Sequence, residues 1–290
     1  MRSGVVFPQT EIGNDPAVIR EYAQAAEGAG YDHLLVFDRV LGSTLQRLDK
    51  LGRRPPYTDQ SSFHEPFVLF GYLGPCTQRL ELVTGIVILP QRQTALVAKQ
   101  AAAVDVLTQG RLRLGVGIGW NYTEYESLNE DFHTRGRRVA EQIAVMRKLW
   151  TEPLVSFKGT YHQLDQVGIN PLPVQRPIPV WLGGMAEPVL KRVAQISDGW
   201  FPQFQPGDEA RQIMGRVRDY IKEAGRAPSA VGIEGRFTYS IGGPAEWTRR
   251  AREWQDLGAT HLSVNTMGSN LSPREHIDAI LKMKKALDSV

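Results

Sequence analysis

Glycines at 115, 117 and 119, followed by Trp120 and Asn121, lie where an alternating apolar run (Leu112, Leu114, Val116) gives way to a charged, helical stretch. Glycine at a strand-to-helix junction lets the backbone approach a ligand closely, and the free N–H groups of a helix start favour an anion. Such spacing could hold the phosphate-bearing tail of a cofactor at the carboxyl end of a parallel strand. The same glycines would also serve a tight turn with close strand–helix packing, and the run by itself leaves both readings standing. Gly183 and Gly184, after Val180-Trp181-Leu182 and before a second helical segment, repeat the junction and strengthen the phosphate reading. No HExxH, nucleophile elbow, GxxxxGK[ST] or GxGxxG spacing occurs, so neither a hydrolytic triad nor a metal site is expected.

The elements that must position these residues follow from periodicity. Short apolar runs at 5–7, 33–37, 80–89, 112–117, 179–182, 199–201, 233–239 and 261–264 predict strands. Helical patterns at 16–28, 66–77, 95–108, 134–149, 187–196, 207–223, 245–256 and 271–287 lie between and after them. Strands that alternate with helices indicate a parallel sheet covered by helices, and eight such units favour a closed (β/α)8 TIM barrel within the α/β class. Polar groups at the carboxyl strand ends are then the candidate site. His33 and His261, which open their strands, read as structural. Long loops at about 40–64, carrying Arg53-Arg54-Pro55-Pro56, and at 152–178 interrupt the alternation, and loops of that length commonly bind or cover a site. No composition break divides residues 1–290, so a single barrel domain is expected.

Composition narrows the class of partner. Of the 290 residues 34 are Lys or Arg and 31 Asp or Glu, for a net charge of +3, and the basic residues are scattered, which argues against nucleic acid. The one cysteine, Cys76, excludes a disulfide framework and a cysteine metal site. No signal-peptide pattern and no apolar run of about 18 residues is present, so a cytoplasmic protein without membrane attachment is expected.

As an ordered set, the stretches 82–90 (LVTGIVILP), 110–121, 132–138 (FHTRGRR), 149–153, 177–184 (PIPVWLGG) and 197–202 (SDGWFP) resemble the luciferase-like flavin or deazaflavin oxidoreductases, specifically the branch that uses coenzyme F420. The resemblance covers most of residues 1–202. It implies a TIM barrel with an inserted segment that binds an isoalloxazine-like ring at its carboxyl end. It further implies a non-prolyl cis peptide at Gly85-Ile86 behind the ring and an acidic residue, Asp38, near the ring's pyrimidine edge. Gly117, Gly119, Asn121, Gly183 and Gly184 match the positions that hold the phosphate side chain. The reaction implied is hydride transfer between F420 and a small organic substrate, in a chain expected to be a homodimer. An FMN-dependent monooxygenase is the alternative within the class, and a non-redox barrel, an isomerase or a cofactor carrier, is the alternative outside it.

One position departs from the family. Members often carry Asp-His at the end of the second strand, whereas this chain has Asp38-Arg39. Arginine stays protonated and cannot act as a base. Arg39 could anchor an anionic substrate or stabilise negative charge on the reduced deazaflavin. His64, before Glu65-Pro66, is the next candidate for proton transfer; capping the helix that begins near Pro66 is its alternative use. Arg135, Arg137 and Arg138 read as a solvated helix face.

Overall fold

The apolar runs pair as a ring in the computed structural model, which describes residues 1–48 and 57–290. In chain order the strands are β1 (Arg2–Val6), β2 (His33–Val36), β3 (Glu81–Thr84), β4 (Val87–Ile88), β5 (Leu112–Gly117), β6 (Val155–Lys158), β7 (Gln163–Val167), β8 (Val180–Gly183), β9 (Gly199–Phe201), β10 (Gly232–Thr238) and β11 (His261–Asn265). All but β6 and β7 are parallel and follow the order β3-β2-β1-β11-β10-β9-β8-β5-β4. Pairing of β5 with both β3 (Leu82 opposite Leu112) and β8 (Leu114 opposite Val180) closes the ring. Gly115 makes that closure possible: a Cβ there would stand 1.9 Å from the Thr84 carbonyl oxygen. The expected strand at 80–89 is broken into β3 and β4 by the cis Gly85-Ile86 peptide bond, so β3 and β4 are one barrel position. The result is an eight-position TIM barrel.

The helices are α1 (Pro16–Gly28), α2 (Leu45–Leu48), α3 (Pro66–Leu73), α4 (Thr94–Leu107), α5 (Tyr122–Ser127), α6 (Arg135–Thr151), α7 (Glu187–Ile196), α8 (Asp208–Glu223), α9 (Pro244–Asp256) and α10 (Pro273–Leu287). Local chemistry sets several starts. Asp15 caps α1 by accepting from Ala17 N at 2.8 Å, and Ser272 with Glu275 forms a capping box on α10. The loop expected at 152–178 instead contains the antiparallel β6–β7 hairpin, pinned by His162, which bonds Glu141 on α6 (2.8 Å) and Thr94 on α4. Of the loop expected at 40–64, Arg53-Arg54-Pro55-Pro56 lies outside the described residues, and α2 stands on its near side.

The barrel interior is layered. Val6, Leu35 and Val83, with Phe37 and Phe201, form an apolar layer. A charged layer is built around Glu234, which accepts from Arg113 at 2.6 Å and bonds His33 at 3.1 Å. Arg113 also pairs with Glu81 at 3.0 Å. His261 packs edge-on against Trp181, 4.9 Å between ring centroids. Burial, reinforced by the Arg113 charge, holds its imidazole down at about 3. Burial also lowers His276, whose Nδ1 bonds the Thr266 hydroxyl at 2.8 Å.

These two histidines give stability a defined pH dependence. Unfolded, each binds a proton near 6.5, while the folded state binds it less readily, most strongly so for His261. Stability is therefore complete above 6.5 and falls as pH drops through that value, with a slope approaching about 1.4 kcal/mol per pH unit for His261 alone. Urea unfolding between pH 7.5 and pH 5 measures the slope, and His261→Gln should flatten it. A pH-independent midpoint in the wild-type protein over that interval would contradict this account.

Candidate functional site

At the carboxyl ends of the strands a small cleft of about 40 Å³ opens, lined by Leu35, Gly85, Ile86, Gly183, Phe201, Gln203, Glu234 and Arg236. Ile86 forms its back wall. A Cβ at Gly117 would stand 2.7 Å from Ile86 Cδ1, and one at Gly183 would stand 3.0 Å from Ile86 Cγ2. These two glycines are small because an isoleucine occupies the space above them. Gly119 and Gly184 differ, with φ of +63° and +129°, and provide the turns that lead out of β5 and β8. The Gly184 carbonyl accepts from Trp200 Nε1 at 2.8 Å, which makes Trp200 a core residue. The structure thus brings Gly85, Ile86, Gly117 and Gly183 together, with Gly119 against Ile88.

The polar candidates are held more tightly than spacing could show. Asp38 is fully covered; Oδ2 accepts from Ile88 N at 2.9 Å and Oδ1 from Arg92 at 2.7 Å. It locks the end of β2 to β4, behind the Ile86 wall. Asn121 caps α5, its Oδ1 accepting from Thr123 N (3.2 Å) and the Thr123 hydroxyl (2.7 Å). Its Nδ2 donates to Glu124 at 3.3 Å. Glu124 is itself buried and accepts from Val40 N and Leu41 N, each at 3.1 Å. Asn121 and Glu124 therefore hold the chain that leaves β2, directly beyond Arg39.

Arg39 is 5% exposed. Its guanidinium lies 4.5 Å from the Tyr57 ring centroid and 5.9 Å from that of Phe63. Burial lowers its pKa, opposed by the charge of Glu124. His64 does not cap α3; Glu65 does, accepting from Val68 N at 2.8 Å and pairing with Arg92 at 2.9 Å. His64 is half-buried, and its Nε2 has no hydrogen-bond partner. The arginine cluster is less solvated than its pattern suggested. Arg138 pairs with Glu130 and donates to the Pro90 carbonyl, Arg135 lies over Phe132, and only Arg137 is exposed.

Sequence reasoning missed Arg236. It stands on β10 two residues beyond Glu234, faces the cleft, and lies over the Phe37 ring at 5.3 Å. Among the described residues its guanidinium makes no ion pair. Burial lowers its pKa, and the charge of Glu234 opposes that shift. The arrangement is a cleft with apolar walls at Leu35, Ile86 and Phe201, polar groups at Gln203 and Glu234, and one cation, Arg236, among its lining residues, which suits a planar cofactor that gains negative charge.

Comparison with known proteins places the fold in a family. An uncharacterized protein of Mycobacterium tuberculosis is 31% identical over 277 residues, 92% of this chain and 93% of that one. An F420-dependent glucose-6-phosphate dehydrogenase of Segniliparus rotundus is 26% identical over 284 residues, 92% of this chain and 77% of the relative. An FMNH2-dependent dimethylsulfone monooxygenase of Pseudomonas fluorescens is 28% identical over 211 residues, 71% of this chain and 52% of the relative. The crystal structure of the monooxygenase RslO1 from Streptomyces bottropensis shares the fold, with a TM-score of 0.82 at 17% identity, over 100% of this chain and 99% of that one. The family model for luciferase-like monooxygenases matches residues 1–280. With a closed barrel, a mouth cleft and a match across nearly its whole length, the chain belongs to the luciferase-like monooxygenase family, whose members here include F420- and FMNH2-dependent oxidoreductases.

Proposed function

We propose that the protein transfers a hydride between coenzyme F420 and a small organic substrate at the barrel mouth. The observation that carries this reading is the cleft itself: Leu35, Ile86 and Phe201 offer apolar walls, and Arg236 is a lone cation beside them. The F420-dependent relative matches more of this chain than the FMNH2-dependent one, 92% against 71%, at slightly lower identity, 26% against 28%.

Gly85, Ile86 and Gly183 would stand behind and beside the ring, with Asp38 and Arg92 fixing that wall. Gly119 and Gly184 would lie along the phosphate-bearing tail, and Asn121 would act through Glu124 by holding the loop. When bound, F420 supplies the hydride chemistry. Arg236 would stabilise negative charge on the ring, as a fixed cation at a developing anion does. His64 Nε2 would take the proton released as a substrate hydroxyl becomes a carbonyl, or return it in the reverse direction. The FMNH2-dependent relative favours a second reading, an FMN-dependent monooxygenase that consumes oxygen.

Separate absorbance titrations with F420 and FMN test the proposal, followed by turnover with and without oxygen. Micromolar F420 binding and oxygen-independent turnover are expected; a clear FMN preference would overturn the F420 reading. Gly117→Ala supplies a finer check. Its new Cβ displaces Ile86 towards the cleft, so F420 affinity should fall about tenfold, about 1.4 kcal/mol. Stability should fall by only about 1 kcal/mol, because the atom displaced is the end of a flexible side chain. Unchanged affinity would remove Ile86 from the cofactor wall.

A further inference from the structure

We infer that the substrate handled at this mouth carries a carboxylate and that the outer edge of the Arg39 guanidinium receives it; the inference rests on the redox reading of the mouth. Arg39 is buried, and its Nε is committed, donating to the Leu41 carbonyl at 2.8 Å. Its Nη1 and Nη2 are both buried and have no hydrogen-bond partner. Buried charged donors left unpaired are costly, and a fold tolerates them where a ligand completes them. Of the two acids whose charges act on this group, Glu124 is already engaged by Val40 N, Leu41 N and Asn121, and Asp59 makes no ion pair with it.

The groups packed around the guanidinium select the ligand. Tyr57 and Phe63 lie against the guanidinium, and Tyr57 packs near Trp120 with 6.0 Å between ring centroids. What remains is the in-plane edge with two parallel sets of N–H donors. That edge matches the two oxygens of a carboxylate. A neutral alcohol or ketone offers one oxygen and leaves the second nitrogen unpaired. A phosphate dianion brings two charges to one unpaired cation, in an aromatic-walled site beside Glu124, and is disfavoured there. The departure at Asp38-Arg39 then has a physical sense: a fixed charge replaces a proton-transfer group, and proton transfer falls to His64.

Thermal unfolding of the full chain without cofactor provides the test, using propionate, inorganic phosphate and acetone as probes at matched ionic strength. Propionate at millimolar concentration should raise the wild-type midpoint by about 2 °C or more. It should leave Arg39→Met unmoved and raise Arg39→Lys by less than the wild type. Acetone should do nothing. Arg39→Met without any probe should unfold at the wild-type temperature or above, because an unpaired buried charge has been removed. A lower midpoint would make the guanidinium a structural group and overturn the inference, as would equal propionate stabilisation of Arg39→Met and wild type. Stronger stabilisation by phosphate than by propionate would also overturn it. Separately, F420 affinity of Arg39→Met should stay within about threefold of wild type. A loss of tenfold or more would assign the edge to the cofactor's own anionic groups and sink the substrate assignment. Failure of the wild-type protein to bind F420 would instead defeat the redox reading, and the propionate comparison would stand apart from it.

Discussion

Glu234→Ala is expected to lower the free energy of unfolding by about 3–5 kcal/mol, the cost typical of leaving one partner of a buried ion pair alone. The carboxylate is 1% exposed and lies inside the barrel. Oε2 accepts from Arg113 at 2.6 Å, and Oε1 bonds His33 at 3.1 Å and the Ser263 hydroxyl. Burial alone would raise its carboxyl pKa; His33 and Arg113 outweigh that and hold it well below the ordinary 4.5. A depressed carboxyl stabilises the fold above pH 4.5, and that contribution is lost as pH falls through the folded-state value. Truncation leaves Arg113, itself 3% exposed, with only Glu81 and the Trp181 face, 4.3 Å away, as company. At roughly 2–4 °C per kcal/mol the midpoint should drop by about 6–20 °C. The double variant Glu234→Leu/Arg113→Met should recover much of the loss, since the pair is removed together. Chemical denaturation of the three proteins decides the matter; a change under about 1 kcal/mol in Glu234→Ala would show that the pair is not fully desolvated.

The barrel was legible because strand and helix periods alternate cleanly, and the mouth was legible as a rim of glycines. What lay hidden depended on which face of a strand is the inside. Along β10 the polar set Glu234, Arg236 and Thr238 alternates with Ile233, Gly235 and Phe237. A pattern reader takes the polar face for solvent. Here the apolar set packs outward on helices, as at Gly235, where a Cβ would stand 2.3 Å from the Trp254 ring, and the polar set lines the lumen. Arg236 therefore gave no signal as a site residue. The glycines at 117 and 183 were seen correctly as close-approach positions, but the approaching atoms belong to Ile86, a residue in another strand position. Asp38 and Arg92 are 54 residues apart, and Glu234 and Arg113 are 121 apart. Neither separation leaves a local signature. The β6–β7 hairpin escaped notice because its strands are short and largely exposed, with too little apolar alternation to stand out among prolines and glycines.

Arg236→Met should separate function from fold on the same strand. The side chain takes no ion pair among the described residues, and its contact in the barrel is the Phe37 face, so its loss should cost stability no more than about 1 kcal/mol. Its position in the cleft wall, two residues beyond a Glu234 carboxylate that already accepts from Arg113 and bonds His33, leaves it without an ion pair of its own among the described residues and facing the proposed ring site. A preorganised charge of this kind acts where negative charge develops, and removing one such group typically costs about 10²–10³ in rate. The expected result is a loss of about 10² in the rate of hydride transfer, measured in a single turnover, with an unfolding midpoint near the wild type. Arg236→Lys keeps the charge but not the planar contact with Phe37, and should recover part of the rate. A redox potential of the bound cofactor shifted negative in Arg236→Met and restored in Arg236→Lys would tie the effect to charge on the reduced ring. Unchanged potential and rate in Arg236→Met would show that the lone cation of the cleft faces something other than the cofactor.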